Sequence, residues 1–426
     1  VVTGQGLVTP LGRTSTDILV RWRDGPTAVG PITRFDARSL PVQYACEVRD
    51  FEPRREVRNR KLLRLMVGGE DFAFRSATDA MAQAGLTPGG YDPQRLGIAL
   101  GCHKEGFRFL HLYEALDASR GADGRLDRLR FIQQGVERIP PQIIVEALAN
   151  AGLYYIAHEY ELEGANHNLL SVGTGGLLAI GAAMQSIQED EADLMLAGAF
   201  DSWVNWMCIN HNVFTGLLSI SRERPEAVHR PFDLRRTGGV PAEGAAMLVL
   251  EEREHARRRG VPVLGEILGF AMATGVPSYD HVACADAVGR CIRLALADAD
   301  CTPADLDLIH LNGEATTSGD WIEARGVRMA LGTRADEIPA TTLRSATGMT
   351  GVAAGAIETL VTLEMLRRGE IPPIRNLEEP DPELPLAFVQ QTLRGGRFRR
   401  GLVLQRCWPS HCAALVVGRP AENDED

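Results

Sequence analysis

Apolar residues fall along this chain in short runs that alternate with longer segments of helical spacing, the pattern of an α/β protein. Leu194-Met195-Leu196-Ala197-Gly198 reads as a buried strand ending in a turn. The segment before it, Leu177 to Gln188, is apolar almost all round, as in a helix buried on every side. Ala245 to Leu250 is another apolar run, followed by a run of mixed charge from Glu251 to Gly260. The mixed signs predict a solvated helix closing on a Gly260 C-cap, not an arm for nucleic acid. Val261 to Phe270 restarts the strand pattern, which divides the chain into halves at 1–252 and 253–426.

Two other stretches need a decision. Asn166 to Gln188 carries no Asp, Glu, Lys or Arg and is long enough to cross a bilayer. Its glycines (Gly173, Gly175, Gly176, Gly181) and scattered polar groups predict instead a buried helix behind a tight turn. The opening Val1-Val2-Thr3 reads as a strand, so no signal peptide is expected, and Ala421 to Asp426 reads as a frayed acidic tail. Strand–helix–strand units in each half suggest an internal duplication, but no short-period repeat is visible.

Composition narrows the function. The chain has 426 residues, 45% of them hydrophobic and 24% charged, with a net charge of −11. That balance suits a globular protein and excludes a nucleic-acid groove. The 8 cysteines include no C-x-x-C pair, which predicts reduced buried thiols in the cytoplasm and neither disulfides nor a metal site. Cys102 and His103 are neighbours on a strand and so point to opposite faces, which argues against a nucleophile–base pair. Cys407 and Cys412 read as buried thiols in the same way.

Three motif regions carry a resemblance. Val1 to Gly12 is similar to the opening strand and loop of the β-ketoacyl synthase family. Arg230-Pro231-Phe232-Asp233, Arg236, Gly238, Val240, Glu243 and Gly244 match its R-P-F-D-x-x-R-x-G-x-V-x-x-E-G run. Ile371-Pro372-Pro373, Asn376-Leu377-Glu378 and Pro380-Asp381-Pro382 match its I-P-P…N-L-E-x-P-D-P segment. The resemblance covers nearly the whole chain and implies a thiolase-like fold, a pseudo-duplicated α-β-α-β-α layered sandwich.

It also exposes what is missing. In Leu170 to Gly176 the family's nucleophilic cysteine is replaced by Gly173. In Leu311 to Thr316 the first histidine is replaced by Asn312, and in Arg344 to Met349 the second is replaced by Met349. Arg344 stands for the family's lysine. A condensing enzyme needs a thiolate at a helix N-terminus to carry the acyl chain, and histidines to stabilise the enolate left by decarboxylation. Glycine cannot be acylated, asparagine cannot become imidazolium, and methionine does neither. The C-terminal loop departs too: Arg406-Cys407-Trp408-Pro409-Ser410 stands where the family has G-F-G-G.

This pattern resembles the chain length factor, the non-catalytic partner of type II polyketide ketosynthases. Gly175-Gly176-Leu177, Phe200-Asp201-Ser202 and the stretch from Gly106 to Glu114 carry that similarity. The subgroup often has glutamine at the position of Gly173. By resemblance, Phe107, Leu110 and Glu114 line an acyl tunnel at the dimer contact, at spacings of one helical face. Phe107, Phe109 and Leu110 could equally be core. Arg138 to Asn150 aligns with the family's dimer-contact stretch. The implied partners are a catalytic ketosynthase in a heterodimer and an acyl carrier protein whose phosphopantetheine brings the acyl chains, with no resident cofactor or metal. Two alternatives stay open. An enzyme could use the old pocket through Ser171 or Thr174, although neither has an evident base. A deliberately inactivated ketosynthase would show one change, whereas three positions and a loop differ here.

Overall fold

The computed structural model describes residues 1–103, 109–407 and 410–420, and of Phe109 and Leu110 only the backbone. The chain opens with β1 (Val2–Val8), then α1 (Ser15–Asp24), α2 (Glu70–Gln83), β2 (Leu96–Cys102) and α3 (Phe109–Ala118). It continues through α4 (Ala151–Tyr160), β3 (Asn166–Leu170), α5 (Gly175–Gln188), β4 (Leu194–Ser202) and β5 (Glu243–Glu251). After the charged α6 (Arg253–Arg259), the second half runs β6 (Glu266–Thr274), α7 (His281–Asp298), β7 (Leu308–His310), α8 (Thr317–Leu331), β8 (Ala340–Thr341), α9 (Ala354–Arg368), β9 (Arg400–Cys407) and β10 (His411–Gly418). Gly260, with φ +64°, closes α6 in the left-handed conformation, as its C-cap position requires.

Among the described residues the two halves repeat one topology. The first sheet is ordered β1-β5-β4-β2-β3 and the second β6-β10-β9-β7-β8. In both, the first two pairings in that order are antiparallel and the last two parallel. The faint duplication in the sequence is a strand-for-strand repeat in space. The last strand of the first sheet ends at Glu251, and the first of the second begins at Glu266.

Five layers result. Helices α2 and α4 cover the outer face of the first sheet, α5 and α9 lie between the sheets, and α7 with α8 covers the outer face of the second. The middle pair explains why Leu177 to Gln188 is apolar all round: α5 packs on both sheets and on α9. Ile180, Ala183, Leu248, Leu360 and Leu415 meet there in a single apolar cluster. Each such side chain contributes roughly 1.5–3 kcal/mol on burial. The two central helices touch through glycine: a Cβ on Gly176 would lie 2.8 Å from the Val352 carbonyl and the Ala356 nitrogen. Among the described residues no helix is long and apolar enough to cross a membrane.

Candidate functional site

The nucleophile turn sits where β3 feeds the central helix. Ser171 Oγ accepts from the N–H groups of Gly173 (3.3 Å) and Thr174 (3.1 Å) and lies 2.9 Å from Thr174 Oγ1. Both hydroxyls weighed as alternative nucleophiles are therefore engaged with each other in holding the turn. Gly173 comes two residues before α5 and lines a cavity of about 20 Å3 with Arg344, Met349, Glu314, Arg406 and Cys407. That is room for about one water molecule. A Cβ built on Gly173 would lie 2.7 Å from Cys407 Cβ, so the facing strand already fills the space a nucleophilic side chain would need.

Cys407 is a thiol in the old pocket, but it is not poised as a thiolate. Burial and the nearby Glu314 carboxylate push it above its ordinary value, against the opposing pull of Arg406 and of hydrogen bonds from the Thr174 N–H and hydroxyl. A buried neutral thiol is inert.

Asn312 lies behind this cavity. Its Oδ1 accepts from the Arg406 N–H (3.1 Å), and its own N–H donates to Glu323 Oε1 (2.6 Å). Among the described residues its buried Nδ2 has no hydrogen-bond partner. Glu323 also takes the Gly313 N–H (2.9 Å), and burial raises its carboxyl to about 7. Met349 is 4% exposed, with its sulfur 3.9 Å from Arg344 Nη1. Arg344 is spent on a buried network: its Nε donates to Glu358 Oε1 (3.2 Å) and its Nη2 to Gln405 Oε1 (2.5 Å), while Gln405 Nε2 donates to Glu358. A histidine does survive nearby. His229 flanks Gly239 beside Met349, but burial and the Arg344 charge hold it neutral, down to about 3, and its Nδ1 accepts from the Val240 N–H (3.1 Å).

The structure thus brings Gly173, Arg344 and Met349 to one cavity and sets Asn312 one shell behind it. Of the altered C-terminal loop, Arg406 and Cys407 belong to β9, where Cys407 pairs with His411 on β10, and Trp408 and Pro409 lie outside the described residues. That register turns Arg406 inward, where its Nη1 donates to Glu314 Oε1 at 2.6 Å. Reading the sequence motif by motif missed this pair. Its two members lie 92 residues apart, beyond the reach of any local pattern.

The tunnel residues are seen less completely. Phe107 lies outside the described residues, as does the Leu110 side chain. Leu110 and Glu114 share one face of α3, one turn apart, and Glu114 is exposed. Of the Arg138–Asn150 stretch, Ile144 and Leu148 are 68% and 47% exposed. Leu170, at the end of β3, which is the edge strand of the first sheet among the described residues, is 63% exposed. Cys102 and His103 diverge as expected: the thiol faces the Ala149 carbonyl, and the ring faces Asp201.

Two stacked sheets of duplicated topology, with a helix N-terminus aimed at their junction, define the class as a thiolase-like condensing-enzyme fold. The chain belongs to the β-ketoacyl synthase family: the model of its N-terminal domain matches residues 1–256, and that of its C-terminal domain residues 264–378. It is similar to the 3-oxoacyl-[acyl-carrier-protein] synthase 2 of Coxiella burnetii, at 33% identity over 92% of each chain. It is also similar to a putative polyketide β-ketoacyl synthase 1 of Streptomyces cyaneus, at 31% identity over 99% of this chain and 98% of that one. Among solved structures, the ishigamide ketosynthase/chain length factor superposes with a TM-score of 0.85 at 25% identity, covering 99% of both chains.

Proposed function

We propose that this chain is the non-catalytic, chain-length-factor subunit of a type II polyketide synthase. It pairs in the cytoplasm with a cysteine-bearing ketosynthase and shapes the tunnel that sets polyketide or polyene length. The observation that carries the reading is the state of the pocket. The nucleophile position has no side chain, and the volume beside it is taken by Cys407, Arg406 and Met349. The names of the sequence relatives are those of synthases and bear on the family, not on this role. The structural likeness to a ketosynthase/chain length factor supports a paired subunit.

The edge of the first sheet supports pairing too. Among the described residues β3 ends the sheet, and with Leu170 on it and Ile144 and Leu148 elsewhere all exposed, the first half carries apolar surface that a partner could cover. A ketosynthase of the same fold would meet it across a pseudo-two-fold axis. Acyl chains would arrive on the phosphopantetheine of an acyl carrier protein and stay attached to the partner's cysteine while they grow into the shared tunnel. Phe107, Leu110 and Glu114 on and before α3 are the proposed wall. The alternative, acyl transfer without the family's cysteine, has Ser171, Thr174 and Cys407 to draw on. The first two hold the turn and the third is a buried neutral thiol.

The test is reconstitution with a co-expressed polyketide ketosynthase and its carrier protein. The pair should co-purify and make product, and this chain alone should neither self-acylate nor condense malonyl units. In the pair, Leu110→Ala should lengthen the product and Leu110→Trp shorten it, with the partner's acylation rate unchanged. Turnover by the isolated chain, or unchanged product mass in both variants, would count against the proposal.

A further inference from the structure

An outer cleft of about 590 Å3 opens to solvent and is lined by Thr215, Thr237, Thr316, Thr317 and Trp321. The inner cavity at Gly173 shares no lining residue with it. Glu314 stands between the two. Its Oε2 accepts from the Thr316 hydroxyl (3.3 Å) at the floor of the outer cleft, and its Oε1 accepts from Arg406 Nη1 (2.6 Å) on the inner side. Both side chains are almost wholly buried, 4% and 8% exposed.

The geometry points to Glu314 and Arg406 as a partition that seals the retired pocket from the outer cleft. Neither charge could stay in this interior alone, because an unpaired buried ion is strongly unfavourable; each therefore requires the other. Arg406 is fixed at its backbone by Asn312 and its guanidinium by Glu314, so the plug is held at two points. The inference rests on the reading that the pocket is non-catalytic, and it deepens that reading: the silence is steric as well as chemical. Restoring cysteine and both histidines would leave a thiol still walled off from the outer cleft.

The test reads access, not activity. In a Gly173→Cys/Cys407→Gly background, which relieves the contact with Cys407, the folded chain is exposed to iodoacetamide and residue 173 is followed by peptide mass. The native thiols are all buried. Adding Glu314→Ala with Arg406→Ala should raise the labelling rate at least tenfold at matched thermal stability, and a smaller rise would overturn the partition. Should that variant fail to fold, Glu314→Leu with Arg406→Met keeps the volume without the charges. It should label as slowly as the background, and fast labelling there would equally overturn the proposal. Labelling requires no partner, so its failure leaves the reconstitution experiment standing, and the reverse holds too.

Discussion

Gly173 stands where the facing strand leaves no room for a side chain. With Cys407 Cβ 2.7 Å from where its own Cβ would lie, any side chain there overpacks a closed site. Gly173→Cys should therefore cost about 1–3 kcal/mol, and Cys407→Gly in the same chain should recover most of it, a coupling that urea denaturation of the four-member mutant cycle would measure. Asp201 makes a different residue-scale prediction. It accepts from Trp203 Nε1 (3.0 Å), the Val352 N–H (3.0 Å) and its neighbour's N–H, yet burial dominates and raises its carboxyl to about 6. A raised folded pKa means the native state holds more protons between roughly pH 4 and 6, so this contribution is full at the acid end and fades as pH rises through 6. Asp201→Asn keeps one acceptor oxygen, enough for Trp203 and Val352, and removes the titration. Relative to the variant, the wild-type chain should lose about 2 kcal/mol between pH 4.5 and 7.5; parallel stability profiles would refute the assignment.

At the scale of elements, the exposed edge of the first sheet matters most. β3 alternates exposed and half-buried positions, unlike the fully buried β2 beside it, and among the described residues it stands at the edge of its sheet. Ile144 and Leu148 lie in a loop-rich segment and expose most or about half of their side chains. Ile144→Asp with Leu148→Asp should leave the isolated chain's thermal midpoint within a degree or two and abolish co-purification with the ketosynthase. A size-exclusion profile of the mixed proteins checks this. Retained pairing would place the interface elsewhere.

At the scale of the molecule, stability rests on the two central helices. Gly176 on α5 meets the backbone of α9 and the turn before it, and Gly355 meets Leu177 in return. No side chain can shift to admit even a methyl group at Gly176. Gly176→Ala should cost on the order of 2–3 kcal/mol and Gly176→Val more, lowering the thermal midpoint of both halves together. Two separate unfolding transitions would show that the layers do not depend on this contact. Asp201 ties the halves in the same region, through Val352.

The α/β alternation, the buried helix after the glycine turn and the Gly260 cap were all legible in the chain. Each depends on local spacing or on one residue's chemistry. The resemblance carried the layered fold further than periodicity could, since a duplicated sheet order is a relation between strands far apart in sequence. The partition was not legible, because Glu314 and Arg406 are 92 residues apart and meet only when β9 continues through Cys407 beside the end of β7. Sequence by itself determined that this pocket cannot form a thioester at Gly173. Only the tertiary structure decided that the pocket is also filled, since whether a lost side chain leaves a hole or is replaced depends on which distant atoms pack into its place.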